Sequence, residues 1–268
     1  MGGLHRVPLA LARLVIGLRA VAIYPGPPSA RRALRCRRRG ETLRAMCNLY
    51  SITKGQQAIR DLAGAMRDLT GNLPMLPGVF PDYSAPIVRT AVDGVRELAM
   101  ARWGMPSPTF AIAGKKTDPG VTNIRNVASP HWRRWLGAES RCVVPFTSFA
   151  EHEVLPDGSR PPVWFAFDDS RPLAFFAGIW TRWTSVRKVK EGETTNDLVA
   201  FLTTEPNAVV APIHPKAMPV ILTRPDGNRG LACGANCGGL EAATAAARRR
   251  ASDRRAGIER GWGANALD

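Results

Sequence analysis

The sequence lacks the features that mark several classes of protein. No stretch of 18 apolar residues runs without a charge, and this absence excludes a membrane-spanning helix. Five cysteines among 268 residues are too few for a disulfide-based scaffold, so the composition favours a reducing cytosol. The four histidines leave few candidates for a general base.

The formal net charge of +15 is typical of proteins that bind an anionic partner such as nucleic acid. This excess is unevenly placed, because residues 1–46 contain ten Arg and one acidic residue, whereas 47–225 carry a net charge of only +4. All six lysines lie in the middle segment, and 226–268 is rich in Arg, Ala and Gly. We predict one folded domain over 47–225, between a non-native or processed N-terminal extension (1–46) and a disordered or frame-shifted tail (226–268).

Strand and turn signals dominate the middle segment. Thr53 and Gln56 have the spacing of a capping box, and the apolar residues that follow predict a helix over 54–69. Asp93-Gly94 lies between two apolar runs and predicts a β-hairpin, as does the turn at 156–158. Short helices are expected after Ser129 and after Glu205. The predicted fold class is α+β, a compact β-rich single domain with a mainly antiparallel sheet and a few short helices.

Three residues in this segment are candidates for chemistry. Glu151 interrupts an apolar strand, where a carboxylate is costly unless paired and suits a general acid or base; a water-facing strand edge is the alternative. His214 is held between prolines at a strand entry, which suits a site, although a structural role is equally compatible. Asn123 alternates with Arg125 on an extended segment, where the amide can donate and accept and the guanidinium suits a phosphate; a plain polar loop is the alternative.

Cys47 directly follows Met46. If translation starts at Met46 and this Met is removed, Cys47 gains a free α-amine, whose pKa is ordinarily about 7.7–8.0. The amine can form an imine with an aldehyde, and the neighbouring thiol can then close a five-membered thiazolidine. A small buried apolar side chain is the alternative role for this cysteine.

Six short stretches occur in an order that resembles the SRAP (SOS response-associated peptidase) family: Met46-Cys47-Asn48-Leu49-Tyr50, Arg102-Trp103-Gly104-Met105-Pro106, Asn123-Ile124-Arg125, Arg141-Cys142-Val143-Val144-Pro145, Phe149-Ala150-Glu151, and Ile213-His214 running into Met218-Pro219-Val220-Ile221-Leu222. Members of that family crosslink covalently to abasic sites in single-stranded DNA. The resemblance covers about residues 47–225. It implies a β-rich α+β fold, a monomer in the cytoplasm at the nucleoid, and no cofactor or metal.

The resemblance also implies roles for individual residues. Cys47 matches the catalytic N-terminal cysteine, Asn123 the site asparagine, Glu151 the acid/base carboxylate and His214 the proton-transfer histidine. We expect abasic single-stranded DNA as the partner. The predicted DNA contacts are phosphate contacts from Arg102, Arg125 and Lys216 and base stacking on Trp103.

The chain departs from the family pattern at three places. Leu49 stands where the family has an arginine that contacts phosphate, and Lys216, in a motif one residue longer than usual, is expected to take a phosphate instead. The third departure is the 46 residues before Cys47, because an amide nitrogen cannot form the imine. Two other functions stay open: a cysteine hydrolase using Cys47 and His214, and a non-catalytic single-strand-binding module. An inactive product of wrongly assigned reading frames is the remaining alternative.

Overall fold

The computed structural model describes residues 48–222 and the backbone of 19–20. The strands, in chain order, are β1 (Arg19–Ala20), β2 (Leu49–Ile52), β3 (Arg67–Asp68), β4 (Leu76–Val79), β5 (Ser84–Thr90), β6 (Arg96–Trp103), β7 (Asn123–Ile124), β8 (Arg141–Phe146), β9 (Ser148–His152), β10 (Pro162–Ala166), β11 (Ala174–Val186), β12 (Glu193–Thr204), β13 (Met218–Pro219) and β14 (Ile221–Leu222). The helices are α1 (Gln56–Ala63) and α2 (Thr109–Ile112), with short 3-10 helices at Arg133–Trp135 and Ala138–Ser140.

These strands form two sheets. The smaller sheet has the order β1-β10-β9-β2-β4, and the larger runs β13-β12-β11-β8-β5-β6-β3 with β7 and β14 attached. A parallel pairing between β12 and β6 closes five strands of the larger sheet into a ring. The β-rich α+β class is therefore confirmed. Most pairings are antiparallel, but β12 is parallel to β6 and β7, and β3 is parallel to β6.

An aromatic cluster joins the two sheets. Tyr50 of β2 is fully buried, and its ring meets Trp103, Phe201 and Phe176 edge-on at centroid distances of 5.2, 5.3 and 5.9 Å. Edge-to-face pairs stabilise by about 0.5–1.5 kcal/mol each beyond the burial of area. Since Trp103 and Phe201 belong to the larger sheet, this contact fixes β2, and with it the smaller sheet, against the larger sheet.

The first helix is shorter than the sequence predicts. α1 ends at Ala63 because Gly64 adopts a left-handed conformation (φ 64°) and its N–H returns to the carbonyls of Arg60 and Asp61. The chain then enters β3 beside β6, so the prediction of helix to residue 69 was wrong.

The predicted capping box is absent as well. The N-cap is Gly55, which makes no side-chain cap. The Thr53 hydroxyl and that of Thr147 lie 3.1 Å apart, within hydrogen-bonding distance. The Gln56 amide donates to Asp68 and Thr70. Both side chains therefore join distant segments rather than the helix end.

Both predicted hairpins are confirmed. β5 pairs with β6 around Gly94, which has φ 81°, and β9 pairs with β10 across the turn at 156–158. After Ser129 only the 3-10 helix at Arg133–Trp135 forms, and after Glu205 the chain makes turns instead of a regular helix.

The described range 48–222 lies inside the predicted domain, and the predicted domain boundaries stay predictions. The expectations for 1–46 and 226–268 fall outside the described residues, except that the backbone of β1 pairs antiparallel with β10. Within the described ranges, no helix is long and apolar enough to cross a membrane.

Candidate functional site

Glu151 is buried on the core side of β9. It is 1% exposed and lies opposite Val163, a member of the main core. Strand alternation places it on the same side as Phe149, another core residue, and turns His152 the other way. The alternative of a water-facing edge carboxylate is therefore wrong. A carboxylate at this depth carries a desolvation penalty that is costly without a partner.

The start of β2 lies beside Glu151. Leu49 is opposite Ala150 in the register of β2 and β9, and Asn48, the residue before β2, is half-buried. Tyr50, which follows Leu49 in β2, packs on Phe201, and Phe201 is the register partner of Asn123 in the other sheet. The first residues of β2 therefore contact the neighbours of both Glu151 and Asn123.

Asn123 is held by the parallel pairing of β7 with β12. The residue is 6% exposed, and its Nδ2 donates to the Thr122 hydroxyl at 3.0 Å. Ile124, which follows it, packs in the core. The alternative of a plain polar loop does not fit these contacts, because the amide is fixed between buried residues.

His214 lies in the turns between β12 and β13 and is 5% exposed. Its backbone N–H donates to the Val210 carbonyl at 2.8 Å, and its ring Nδ1 is 2.7 Å from the Ala217 carbonyl. A carbonyl oxygen only accepts, so Nδ1 carries a hydrogen and donates it. In the neutral ring Nε2 then holds the lone pair. The imidazole is thus oriented to take up or release a proton at Nε2.

Arg125 ties β7 to the segment that carries His214. Its Nη1 donates to the carbonyls of Thr204 at 3.1 Å and Lys216 at 2.7 Å, and its Nη2 is paired with Glu205. Lys216 itself is exposed and makes no ion pair with a described residue. Arg125 therefore connects the end of β7, which carries Asn123, to the segment that carries His214 and Lys216.

Trp103 and Arg102 do not join this group. Trp103 is fully buried, stacks on Phe201 at 4.7 Å and donates its indole N–H to the Thr122 carbonyl at 3.0 Å. The prediction that it stacks on DNA bases was wrong, because neither face of the ring is exposed.

Arg102 is committed to carboxylates rather than open to a phosphate. It donates to both oxygens of Asp82 at 2.6 and 2.7 Å and to Glu191 at 2.9 Å, with 12% of its side chain exposed. The predicted phosphate contact would require this ion-paired group to break.

Cys47 lies outside the described residues, so its catalytic role stays a prediction. The one cysteine whose surroundings are described, Cys142, is fully buried, and burial raises the pKa of its thiol well above the usual range. A thiol that does not ionise is a poor nucleophile. Cys142 therefore serves as a small apolar side chain in the described part of the molecule.

The sequence analysis did not predict one concave surface of the molecule. A cleft of about 420 Å³ lies between the segment 106–118 and the end of β11. The sequence indicated only a long loop there. The signal that could have indicated the cleft was the pair Lys115-Lys116, which precedes the aromatic and basic segment 131–135 in the sequence. Among residues 48–222, no group of three or more His, Cys, Asp or Glu side chains is arranged to hold a metal.

The comparisons with known proteins agree with this architecture. The family described as SOS response associated peptidase (SRAP) matches residues 46–239. No curated protein gives a significant match.

Three solved structures resemble the chain in fold. A protein from Bordetella bronchiseptica has a TM-score of 0.51 and 23% identity, over 71% of this chain and 89% of its own. A protein from Bacteroides thetaiotaomicron has a TM-score of 0.54 and 20% identity, over 74% and 86%. A phage-related protein from Bordetella bronchiseptica has a TM-score of 0.54 and 19% identity, over 76% and 88%. The likeness in structure establishes the fold, and the match to the family profile over most of the chain shows that the protein belongs to the SRAP family.

Proposed function

We propose that this domain crosslinks covalently to abasic sites in single-stranded DNA through a thiazolidine at an N-terminal Cys47, after self-processing exposes that cysteine. The observation that carries the proposal is the buried carboxylate of Glu151 beside the start of β2. Cys47 is bonded to Asn48, so the buried carboxylate of Glu151 lies beside the strand that follows the proposed reactive residue in the chain. Family membership supports an abasic-site-reactive peptidase of the hydrolase or lyase class.

The chemistry proceeds in two additions. The Cys47 amine adds to the aldehyde of the ring-opened deoxyribose, and the resulting carbinolamine loses one water to give an imine. The thiol then adds to the imine carbon, and its proton passes to the nitrogen, which closes the thiazolidine. The only molecule lost is water, so the step needs no cofactor and no oxidant.

Glu151 and His214 are the proton carriers in this scheme. His214, with Nδ1 fixed by the Ala217 carbonyl, first takes up a proton at Nε2 and then donates it to the sugar ring oxygen, which favours opening of the ring. Glu151 moves protons during loss of water and attack by the thiol. Asn123 positions the sugar or the backbone of Cys47. Lys216 binds a neighbouring phosphate as an exposed cation, and Arg125 reaches a phosphate only in competition with Glu205.

Processing is required because the chain has residues before Cys47. The bond between Met46 and Cys47 must be hydrolysed before the amine exists, either in the full chain or, where synthesis begins at Met46, by removal of the initiator Met. A cysteine hydrolase is the second candidate. The fixed tautomer of His214 favours it equally, because the Nε2 lone pair can also deprotonate a thiol. A simple single-strand-binding module is less well supported, since Trp103 is buried and Arg102 is ion-paired.

The test compares residues 1–268 with a version that starts at Met46. Each is incubated with single-stranded DNA containing one abasic site and run on a denaturing gel. We expect a heat-stable shifted band that disappears in Cys47→Ala and persists in Cys142→Ala. A band from the shorter protein alone shows that the free amine is essential and that the long form does not process itself. Bands from both, with an adduct mass that begins at Cys47, show self-processing.

The absence of a band from two folded proteins would refute the crosslinking proposal. Peptide hydrolysis that depends on Cys47 and His214, without any shifted band, would then favour the cysteine hydrolase.

A further inference from the structure

The cleft between the segment 106–118 and the end of β11 has a basic rim and an aromatic wall. Lys115 and Lys116 are exposed on one side, and Arg134 and Trp183 lie on the other. His131, which also lines it, donates from Nε2 to the Pro106 carbonyl at 2.9 Å and so fixes the helical segment against the cleft edge. The volume of about 420 Å³ is in the range of small-ligand sites.

The cations of this cleft have no carboxylate partners among the residues that the structure describes. Neither the two lysines nor Arg134 makes an ion pair with any residue in 48–222, whereas elsewhere Arg89, Arg102 and Lys188 each pair with carboxylates. The guanidinium of Arg134 instead lies over the ring of Trp135 at 4.5 Å and 5.7 Å from that of Trp183. These charges are therefore held ready for an anion from solution.

The acidic residue that lines the cleft does not cancel this charge. Asp118 is buried, and its two carboxylate oxygens accept the backbone N–H groups of Ser107 at 3.1 Å and Gly120 at 2.8 Å. Its backbone carbonyl accepts from the buried Arg187. Asp118 thus shapes the loop from inside, and the exposed rim keeps a surplus of positive charge.

The cleft lies on the same stretch of chain as Asn123. Its edge at Pro106 follows Met105, which is bridged to Val121, two residues before Asn123. The five residue-to-residue steps from Asp118 to Asn123 span at most about 17 Å in extended form. At a rise of about 3.4 Å per nucleotide, as in one strand of duplex DNA, this is roughly five nucleotides.

From this arrangement we infer that the cleft binds a phosphate-bearing nucleotide of the DNA strand that flanks the lesion, as a second anchor beyond the crosslinking site. Lys115, Lys116 and Arg134 contact the phosphate, and Trp183 lines the side where the base or sugar lies. The inference rests on the proposed function for the identity of the strand. The same phosphate chemistry would accept a free nucleotide, and the experiment separates the two sources.

The experiment measures binding of undamaged single-stranded oligonucleotides of about 3 and about 20 nucleotides, the shorter too short to span the distance between the two sites, by fluorescence anisotropy at several salt concentrations. The test variant is Lys115→Gln with Lys116→Gln. The matched control, Lys54→Gln with Arg160→Gln, removes two exposed positive charges outside the cleft that make no ion pair within residues 48–222. We expect the test variant to lose about tenfold in affinity for the long oligonucleotide and about 1.4 in salt slope, as two lost phosphate contacts predict. The control and the short oligonucleotide should show little change.

Equal losses in the test and control variants would overturn the inference, because the effect would then be one of net charge. Binding of a free deoxynucleoside monophosphate that the lysine substitutions abolish, with the long oligonucleotide unaffected, would assign the cleft to free nucleotides and overturn the strand anchor. Failure to crosslink while the length-dependent binding persists would overturn the proposed function and leave the cleft assignment standing.

Discussion

Arg187 and Glu151 are both buried charged residues, 6% and 1% exposed, but their surroundings differ. The guanidinium of Arg187 donates to the carbonyls of Asp118 and Gly104, and Gly104 and Gly120 leave room for it. Desolvation by burial lowers the pKa of Arg187, although nearby Asp118 and Asp82 oppose that shift. Glu151 instead lies beside the start of β2, the strand that follows the proposed reactive Cys47 in the sequence.

The difference separates a structural charge from a chemical one. Around Arg187 the backbone and two glycines are shaped to one side chain, so a change there should lower the free energy of unfolding. Glu151 and His214 are the proposed proton carriers, so a conservative change at either residue should lower the rate of crosslinking. Activity and stability are therefore expected to separate between the two regions.

The largest expected effect is on the rate of crosslinking. Glu151→Gln keeps the shape and removes the ionisable group, and His214→Asn keeps a donor for the Ala217 carbonyl while it removes Nε2. We expect each to slow crosslinking by about 10²–10⁴-fold, the usual contribution of general acid–base catalysis. The measurement is the time course of adduct formation on abasic single-stranded DNA, with the thermal midpoint recorded for each variant.

Glu153→Gln is the matched control for Glu151. It makes the same change in charge two residues along the chain, at a partly exposed position. Wild-type rates in Glu151→Gln, or equal losses in both variants, would contradict the role of Glu151 as a proton carrier.

A second prediction concerns Gly120, which has φ 76°, and whose added Cβ would clash with Nη1 of Arg187. We expect Gly120→Ala to lower the free energy of unfolding by about 2–4 kcal/mol, since left-handed strain and overpacking both contribute. Urea denaturation measures this. Gly114→Ala is the control, because Gly114 has φ 73° with nothing within 4 Å of the added Cβ.

The clash can be isolated with a double variant. In the background of Arg187→Met, Gly120→Ala should cost about as much as Gly114→Ala, because the contact with the guanidinium is gone. If Gly120→Ala and Gly114→Ala lower the free energy of unfolding equally in the wild-type background, the contact with Arg187 is not the reason that position 120 requires glycine.

The smallest predicted effect concerns Asp82. Burial alone would raise the pKa of Asp82, but hydrogen bonds from Arg102 and Lys188 outweigh it and hold the pKa below its usual value. A carboxylate with a lowered pKa stabilises the fold above its unfolded pKa of about 3.9, and this stability is lost as the pH falls through the folded value. Asp82→Asn should therefore flatten the acid limb of stability, by about 1 kcal/mol for a partly exposed pair.

Urea unfolding at about pH 6 and about pH 3 tests this expectation. Asp169→Asn, which removes an exposed carboxylate in a turn, should leave the acid limb unchanged. If the free energy of unfolding of Asp82→Asn falls between the two pH values as much as that of the wild type, the pair with Arg102 contributes nothing measurable to stability.

The sequence predicts those parts of the molecule that depend on local signals. Asp93-Gly94 specifies its hairpin because the turn requires a positive φ, which Gly94 adopts. Glu151 could be singled out because it interrupts an apolar strand, although that local signal left both a buried and a water-facing position open. His214 could be placed near a strand entry because prolines fix the chain around it.

The parts that depend on distant segments could not be predicted. Trp103 is an aromatic residue of the type that stacks on DNA bases, yet Tyr50 and Phe201, which are far away in the sequence, pack against its ring and bury it. The parallel pairing of β12 with β6, which closes the ring of strands, has no local signal at all. The apolar pattern after Gly64 looked helical to residue 69, but the pairing of β3 with β6 takes precedence.

The pairing of β1 with β10 has a consequence for how the protein behaves in solution. The backbone of Arg19–Ala20 covers the outer edge of the smaller sheet, where it meets Ala166 and Phe165. A form that begins at Met46 or Cys47 lacks this strand, so the N–H and C=O groups at that edge of β10 become open to other chains. Uncovered strand edges promote pairing between molecules and aggregation. The segment that must be absent for a free Cys47 amine is thus also a cover that keeps neighbouring molecules apart.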